Sequence, residues 1–370
     1  WYIIDSYDDP VTQENEFDYK GWWGTKSLPE FNRTKDDLWE GPKQYIFHST
    51  QKWMDPNGDG DPSDGIDGWR LDVAREVPIG FWKQWRSIVK NLNPNSIIVG
   101  ELWELSPDFI SDEGAFDALM NYNFAFAVND FFIAEQNKIS VDEFIQRLQK
   151  IDETYPYQNL FVLQNLLSSH DTERHSSMIK NPDRKYEHDA NEGNANYNPG
   201  KPGAEIYEKQ KLIAAFQILY RGAPMIYYGD EVGMWGADDP HDRKPMIWDD
   251  LVYDNEVIDE SSGFKIGFGS YYVEQNKDLL KFYKDLIEIR NSNEELKTGT
   301  IKFIYSDNKK LTFAFESVLA DNKIICAFNL GENEASIPLD FEVIELYPGN
   351  QETNIKSIAA SSFKIYKAKK

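Results

Sequence analysis

Hydrophobic residues in this sequence follow two different periods, which separate short strands from longer helices. Apolar runs at residues 97–103, 161–171 and 224–231 are typical of buried parallel strands, and residues 116–123 predict a further strand. Apolar residues spaced i, i+3, i+4 and i+7 over residues 81–92 are typical of an amphipathic helix, and helices are also predicted over residues 141–151, 205–220 and 279–289. Strand-like and helix-like segments follow one another up to about residue 290. This order predicts an α/β fold with parallel strands.

Beyond residue 298 the pattern changes to short alternating runs such as IKFIYS, LTFAFES and KIICAFN, separated by turns. Alternation with period two predicts an all-β domain, an antiparallel sandwich. We therefore divide the chain into residues 1–296 and 297–370. The lone cysteine, Cys326, falls within one of these runs and is expected to be a buried strand residue.

The stretch GIDGWRLDVAR, residues 65–75, combines a strand pattern with charged side chains. A period of two places Arg70 and Asp72 on one face, about 7 Å apart. A buried acid beside a guanidinium is costly unless it has a use. Arg70 would hold Asp72 ionised, as a nucleophilic carboxylate requires. On this stretch alone, an Arg–Asp pair that only stabilises the fold is an equal alternative.

Two further strand-like runs also end on carboxylates, at Glu101 and Asp171. The spacing fits one βα unit between Asp72 and Glu101 and two units between Glu101 and Asp171. In a (β/α)8 TIM barrel the chemistry lies at the carboxyl ends of the strands. The three carboxylates therefore predict a barrel.

The blocks GWRLDVA, GELW and SSHD resemble the catalytic blocks of the α-amylase superfamily, family 13 of the glycoside hydrolases. The longer segment DPNGDGDPSDGIDGWRLDVA, with GWWGTKSLPEFN before it, is most similar to the neopullulanase and cyclomaltodextrinase group. The resemblance implies that residues 1–35 are the tail of the excursion between strand 3 and helix 3, and that strands 4 to 8 of the barrel are present in this sequence. Strands 1–3, with the family's D-x-x-x-N-H block, are not in this sequence. We expect them upstream in a longer polypeptide, the alternative being a broken relative.

The resemblance also implies the roles of the site residues. Asp72 is expected to be the nucleophile and Glu101 the general acid/base of a retaining glycosidase, whose carboxyl groups lie about 5–5.5 Å apart. The apolar strand before Glu101 agrees with this, because such surroundings favour a protonated acid. Asp171 is the third carboxylate. The expected sugar-binding residues are Arg70, His170, Trp103, Arg243, Asp239, Arg75 and Glu76.

The expected activity is hydrolysis of α-1,4-glucosidic bonds in cyclomaltodextrins, maltooligosaccharides or pullulan, with retention through a covalent glycosyl-enzyme. Transglycosylation would follow if water were excluded from the acceptor side. The alternative is a catalytically incompetent sugar-binding half-barrel or fragment. The long polar loop at residues 181–203 has the length of a functional lid.

The loop at residues 55–67 begins D-x-N-x-D-G, like the start of an EF-hand, but its twelfth residue is Ile66 instead of Glu. A structural calcium site is one interpretation, with the ligands Asp55, Asn57, Asp59 and Asp61. The other is a loop of Asx turns whose carboxylates face water. The chemistry itself is expected to need no cofactor.

The formal net charge of −24, from 39 Lys and Arg against 63 Asp and Glu, argues against a nucleic acid or an anionic membrane as partner. No stretch is long and apolar enough to span a bilayer. The expected partner is an α-glucan oligosaccharide. The sequence leaves open whether the protein is a homodimer, and whether it is periplasmic, secreted or cytoplasmic.

Overall fold

The computed structural model of the protein describes residues 1–186, 188–349, 351–353 and 356–369. Two compact units divide the chain: Trp1–Met120 with Thr154–Asn159, and Asn121–Glu153 with Leu160–Lys370. Glu187, in the predicted lid, lies outside the described residues, as do four positions of the predicted β domain, namely residues 350, 354, 355 and 370. In the described part of the chain, no helix combines the length and apolar character needed to cross a membrane.

The first unit is built on a short parallel sheet. Its strands and helices are β1 (Ile4–Ser6), β2 (Asp18–Tyr19), α1 (Glu40–Met54), β3 (Gly68–Leu71), α2 (Ile79–Leu92), β4 (Ile97–Gly100) and β5 (Ala118–Leu119). Strands β3, β4 and β5 pair in parallel in that order. The strand predicted over residues 116–123 is reduced to β5, because the side chain of Asn121 caps a helix that begins at Tyr122.

Helix α2 packs its apolar face against the first unit's core, as its spacing predicts. Phe81, Trp82, Trp85 and Val89 are all buried. The Trp82 indole N–H donates to the carbonyl of Ala74 at 2.9 Å. The indole N–H of Trp85 donates to Thr50 Oγ1 at 2.7 Å. Burial of two large rings, each with its N–H satisfied, holds α2 against the turn that follows β3 through Trp82 and against α1 through Trp85.

The second unit contains the remaining helices and strands. They are α3 (Tyr122–Val128), α4 (Val141–Thr154), β6 (Gln164–Leu166), α5 (His175–Lys180), α6 (Ala204–Leu219), β7 (Ala223–Met225), β8 (Glu256–Ile258), β9 (Gly269–Tyr271), α7 (Lys277–Ser292), α8 (Glu294–Thr298), β10 (Thr300–Asp307), β11 (Thr312–Leu319), β12 (Asn322–Asn329), β13 (Ala335–Ser336), β14 (Val343–Tyr347), β15 (Gln351–Thr353), β16 (Ser357–Ile358) and β17 (Ser362–Ala368). A π-helical turn continues α3 over Asn129–Ile133.

Strands β6 and β7 pair in parallel and are shorter than the apolar runs that predict them. The backbone leaves the ladder after Leu166 and Met225, and the residues that follow carry the polar side chains of the candidate site. Hydrophobicity indicates which residues are buried, whereas a strand also requires a neighbouring strand with which its backbone forms hydrogen bonds. A strand predicted from apolarity alone is therefore too long at its carboxyl end.

The C-terminal part of the second unit is an antiparallel sheet in the order β10-β11-β12-β17-β14-β15, accompanied by the two-stranded ribbon β13-β16. A core cluster that includes Ala314, Ile325, Tyr366 and Ile358 joins the sheet to the ribbon. Cys326 is fully buried in β12, as its sequence context predicts. The domain boundary between residues 296 and 297 stays a prediction.

Aromatic rings connect this sheet to the helices within the second unit. The ring of Phe216 on α6 has its centroid 5.2 Å from Phe144, 5.9 Å from Phe313 and 5.7 Å from Phe328. Phe313 and Phe328 stack at 5.1 Å across β11 and β12. Because these rings are fully buried, the sheet and the helices α4 and α6 share one hydrophobic core.

Candidate active site

In the first unit, the carboxyl ends of β3 and β4 bring two carboxylates to one guanidinium. Arg70 donates through Nη1 to Asp72 Oδ1, and its Nη2 lies 3.2 Å from Glu101 Oε2. The Asp72 side chain is 69% exposed, whereas that of Glu101 is 9% exposed. The structure thus places one carboxylate toward solvent and the other in a buried position, with Arg70 between them.

The position of Glu101 follows from the register of β3 and β4. Its N–H donates to the carbonyl of Leu71 at 2.9 Å, which continues the parallel ladder by one residue. A Cβ on the preceding residue, Gly100, would lie 2.5 Å from the ring of Phe116, so any larger residue there would have to displace that ring. The Trp103 indole N–H donates to Glu101 Oε1 at 3.1 Å. Arg70, Asp72, Glu101 and Trp103 therefore come together, and their catalytic and sugar-binding roles stay predictions.

Asp72 lies one residue beyond the end of β3, because the backbone turns sharply at the next residue. Val73 has φ 48° and ψ 39°, in the left-handed region. A β-branched residue rarely adopts this conformation, and it costs about 1–3 kcal/mol. The turn aims the Val73 N–H at Glu101 Oε2, 2.8 Å away. Nothing in the sequence signals a positive φ at a valine, so this contact was not predicted.

Arg75 and Glu76 lie in the short turn after Val73, and Arg75 binds groups of its own unit. Its Nε lies 2.5 Å from Glu104 Oε1, and its Nη2 donates to Ser106 Oγ at 2.5 Å. Its guanidinium also lies 4.8 Å from the centroid of the Phe109 ring. Arg75 thus joins the turn after β3 to the loop after β4. A sugar-binding role for either residue stays a prediction.

In the second unit, the loop after β6 and the turn after β7 form a polar cluster. His170 Nε2 lies 3.3 Å from Asp171 Oδ2, and Arg243 Nη2 lies 3.4 Å from Asp171 Oδ1. Arg243 Nε also lies 2.9 Å from Asp239 Oδ1. These four predicted residues come together on partly exposed side chains, which leaves them accessible to a ligand.

Buried residues that the sequence analysis did not single out support this cluster. Glu173, two residues after Asp171, pairs with Arg184 and accepts a hydrogen bond from the Tyr197 hydroxyl at 2.8 Å. Burial raises the pKa of Glu173, although Arg184 and Tyr197 oppose the shift. Arg184 and Tyr197 belong to the loop at residues 181–203, so the predicted lid is tied down at both residues. The only sequence signal was the position of Glu173 beside the SSHD block.

Arg174 is fully buried between two tyrosine rings. Its guanidinium carbon lies 4.7 Å from the ring centroid of Tyr227 and 4.8 Å from that of Tyr228, and Nη1 donates to the Tyr228 carbonyl at 2.6 Å. Asp242 is also fully buried. Neither oxygen of its carboxylate has a hydrogen-bond partner within the described residues. Burial raises the pKa of Asp242 to about 7.

This shift predicts a pH-dependent stability. The folded protein holds the Asp242 proton more tightly than the unfolded chain does, so protonation stabilises the fold at acid pH. The stabilisation is lost as the pH rises from about 4 to about 7. We expect Asp242→Asn to flatten the dependence of Tm on pH and to raise Tm at pH 8 by about 2–6 °C.

Differential scanning calorimetry at pH 5 and pH 8 measures this effect. Asp250→Asn, which makes the same chemical change at an exposed position, is the control. Equal slopes of Tm against pH in the parent protein and in Asp242→Asn would show that Asp242 is already ionised in the fold.

The loop at residues 55–61 uses its side-chain oxygens to accept hydrogen bonds from its own backbone. Asp55 accepts from the N–H groups of Gly58 and Gly60, and Asp59 accepts from that of Asp61. Asn57 accepts from the N–H of Asp59. Among the residues that the structure describes, no three His, Cys, Asp or Glu side chains are gathered to hold a metal ion. This geometry is that of Asx turns, and the calcium site stays a prediction.

Comparisons with known proteins identify the family of this chain. Residues 1–299 match the family model for the α-amylase catalytic domain. Neopullulanase 2 of Thermoactinomyces vulgaris is 31% identical over 336 residues, which cover 90% of this chain and 47% of the relative. A cyclomaltodextrinase of a Bacillus species is 34% identical over 288 residues, covering 78% and 41%. A solved cyclomaltodextrinase structure is 28% identical and has a TM-score of 0.72, over 100% of this chain and 55% of that one.

The chain therefore belongs to the α-amylase family of glycoside hydrolases. Its fold class is the TIM barrel with a C-terminal domain. Within the family, its curated relatives include neopullulanases and cyclomaltodextrinases, which confirms the resemblance stated from the sequence. The chain spans less than half the length of the first two curated relatives.

Proposed function

We propose that this protein hydrolyses α-1,4-glucosidic bonds with retention of configuration. The observation that carries the proposal is the Arg70 guanidinium shared by an exposed Asp72 and a buried Glu101. A retaining glycosidase needs two carboxyl groups in different states, one ionised to attack and one protonated to assist departure. The different exposure of the two side chains fits this division of roles, because the exposed Asp72 can reach a sugar while Glu101 occupies a buried position beside Arg70.

In the first step Asp72 attacks the anomeric carbon while Glu101 gives its proton to the glycosidic oxygen. The carbon–oxygen bond breaks, and a glycosyl-enzyme ester forms on Asp72. In the second step Glu101 takes a proton from water, which attacks the same carbon and releases Asp72. A sugar hydroxyl in place of water gives transglycosylation. The proposed chemistry needs no cofactor.

We assign sugar binding to the polar cluster of the second unit. Asp171 carries a negative charge beside His170 and Arg243, and such a carboxylate accepts hydrogen bonds from sugar hydroxyls and favours an oxocarbenium-like state. Trp103 offers an aromatic surface for a sugar ring. Arg243 and Asp239 would bind a more distant sugar.

We propose cyclomaltodextrins, maltooligosaccharides or pullulan as substrates, because relatives that match the chain are named neopullulanase 2 and cyclomaltodextrinase. Residues 1–296 would supply strands 4 to 8 of the barrel, and residues 297–370 would support it by packing. Calcium at the loop of residues 55–61 would serve stability only.

Proton NMR of early hydrolysis products tests the proposal. We expect the native polypeptide to release the α-anomer from maltooligosaccharides before mutarotation sets in. Release of the β-anomer would overturn retention. Binding of the oligosaccharide without any release would instead support the sugar-binding half-barrel.

A further inference from the structure

The two oxygens of the Glu101 carboxyl group have different hydrogen-bond donors. Oε2 accepts from the Val73 N–H at 2.8 Å and lies 3.2 Å from Arg70 Nη2. Oε1 accepts from the Trp103 indole N–H at 3.1 Å. A carboxyl oxygen has two lone pairs, so two donors fill Oε2 and one donor leaves a position on Oε1. A proton on Oε2 would face a backbone N–H and a guanidinium.

We propose that Val73 is a positioning residue whose main-chain N–H reserves Oε2 of Glu101, so that the catalytic proton resides on Oε1. This inference rests on the proposed function, in which Glu101 is the general acid. The proton then leaves from Oε1 to the glycosidic oxygen as the bond from that oxygen to the anomeric carbon breaks. Asp72, the residue before Val73, forms the new bond to that carbon.

The turn around Val73 holds this N–H in place. Its left-handed conformation is disfavoured for a β-branched residue, so surrounding contacts must maintain it. The Val73 carbonyl accepts the N–H of Glu76 at 3.1 Å, and the next residue, Ala74, is completely buried. The Trp82 indole N–H binds the Ala74 carbonyl at 2.9 Å. The strained residue thus joins the nucleophile to the acid through the backbone, independently of any flexible side chain.

An amide-to-ester substitution at residue 73 tests the proposal. Incorporation of 2-hydroxyisovaleric acid keeps the valine side chain and replaces the N–H by an oxygen that cannot donate. On maltosides with a poor leaving group we expect kcat to fall by about 10-fold or more, with KM within about two-fold of the parent value. On α-maltosyl fluoride, whose leaving group needs no protonation, kcat should change by less than about three-fold.

Two further variants separate the N–H from other effects of the change. The same ester at Val77, four residues further along the chain, makes the same backbone change away from Glu101. It should change kcat by the same factor on the maltosides and on α-maltosyl fluoride. Val73→Gly keeps the N–H and reaches the same φ without the Cβ clash, so its ratio of the two rates should stay within about two-fold of the parent ratio. If the ester at residue 73 does not fold, incorporation of glycolic acid there removes the same N–H, reaches the same positive φ without the Cβ clash and carries the same expectation.

The outcomes distinguish this inference from the proposed function. Glu101→Gln should lose activity selectively on substrates with poor leaving groups, and equal loss on both substrates would overturn the acid role itself. If Glu101→Gln is selective but the variants without the residue-73 N–H lose both activities equally, or neither, Val73 does not position the acid. A selective loss in Val73→Gly as large as in the ester would assign the effect to the side chain instead of the N–H.

Discussion

Asp72→Asn should lower kcat on maltooligosaccharides by at least about 10³-fold, with little change in the Kd for the same oligosaccharide. The carboxamide has nearly the shape of the carboxylate but cannot form the glycosyl-enzyme ester, so the loss falls on the chemical step. The side chain is 69% exposed, and its removal leaves no buried charge without a partner. Steady-state kinetics for kcat and calorimetric titration for Kd measure the two effects separately.

Azide provides a second measurement for this variant. A small anion in the space of the missing carboxylate would attack an activated α-glycosyl donor from the opposite face and yield the β-glycosyl azide. Asp67→Asn makes the same chemical change five residues earlier at an exposed position and is the matched control. Turnover in Asp72→Asn within ten-fold of the parent rate would exclude Asp72 as the nucleophile.

Arg290→Met should destabilise the second unit by about 3 kcal/mol, lowering its Tm by about 6–10 °C. Arg290 on α7 is 7% exposed and donates to the carbonyls of Ile218 at 2.7 Å, Tyr220 at 3.0 Å and Gly222 at 2.5 Å. These carbonyls lie at the end of α6 and in the turn that leads into β7. Methionine fills much of the volume but leaves three buried acceptors without these donors.

The proposed role of Arg290 depends on its geometry as well as its charge. Burial lowers the pKa of Arg290 to about 10, so it remains a cation at neutral pH. Arg290→Lys keeps the charge but cannot donate to all three carbonyls at once. We expect its Tm to lie between that of the parent protein and that of Arg290→Met. Lys284→Met, an exposed charge removal on the same helix, is the control. If Arg290→Met has the same Tm as Lys284→Met, the hydrogen bonds from Arg290 to the three carbonyls do not stabilise the second unit.

Local pattern predicts the elements well where one segment contains all the information. The i, i+3, i+4 spacing of α2 identifies the buried face that the structure shows, and Val141–Thr154 and Lys277–Ser292 contain the helices predicted there. The strand ends are less accurate. The runs that predict β6 and β7 extend into loops, because apolarity reports burial and a strand also requires a paired neighbour.

The sequence by itself determined the family, the order of most helices and strands, and the pairing of Arg70 with Asp72, since period-two spacing and short blocks are local properties. Only the tertiary structure showed the left-handed Val73 that binds Glu101, the buried support of Glu173 by Arg184, and the burial of Asp242. Each of these depends on contacts between residues distant in the chain or on a backbone angle that residue type disfavours. Hydrophobic periodicity contains neither kind of information, because folding decides which distant groups enclose a side chain.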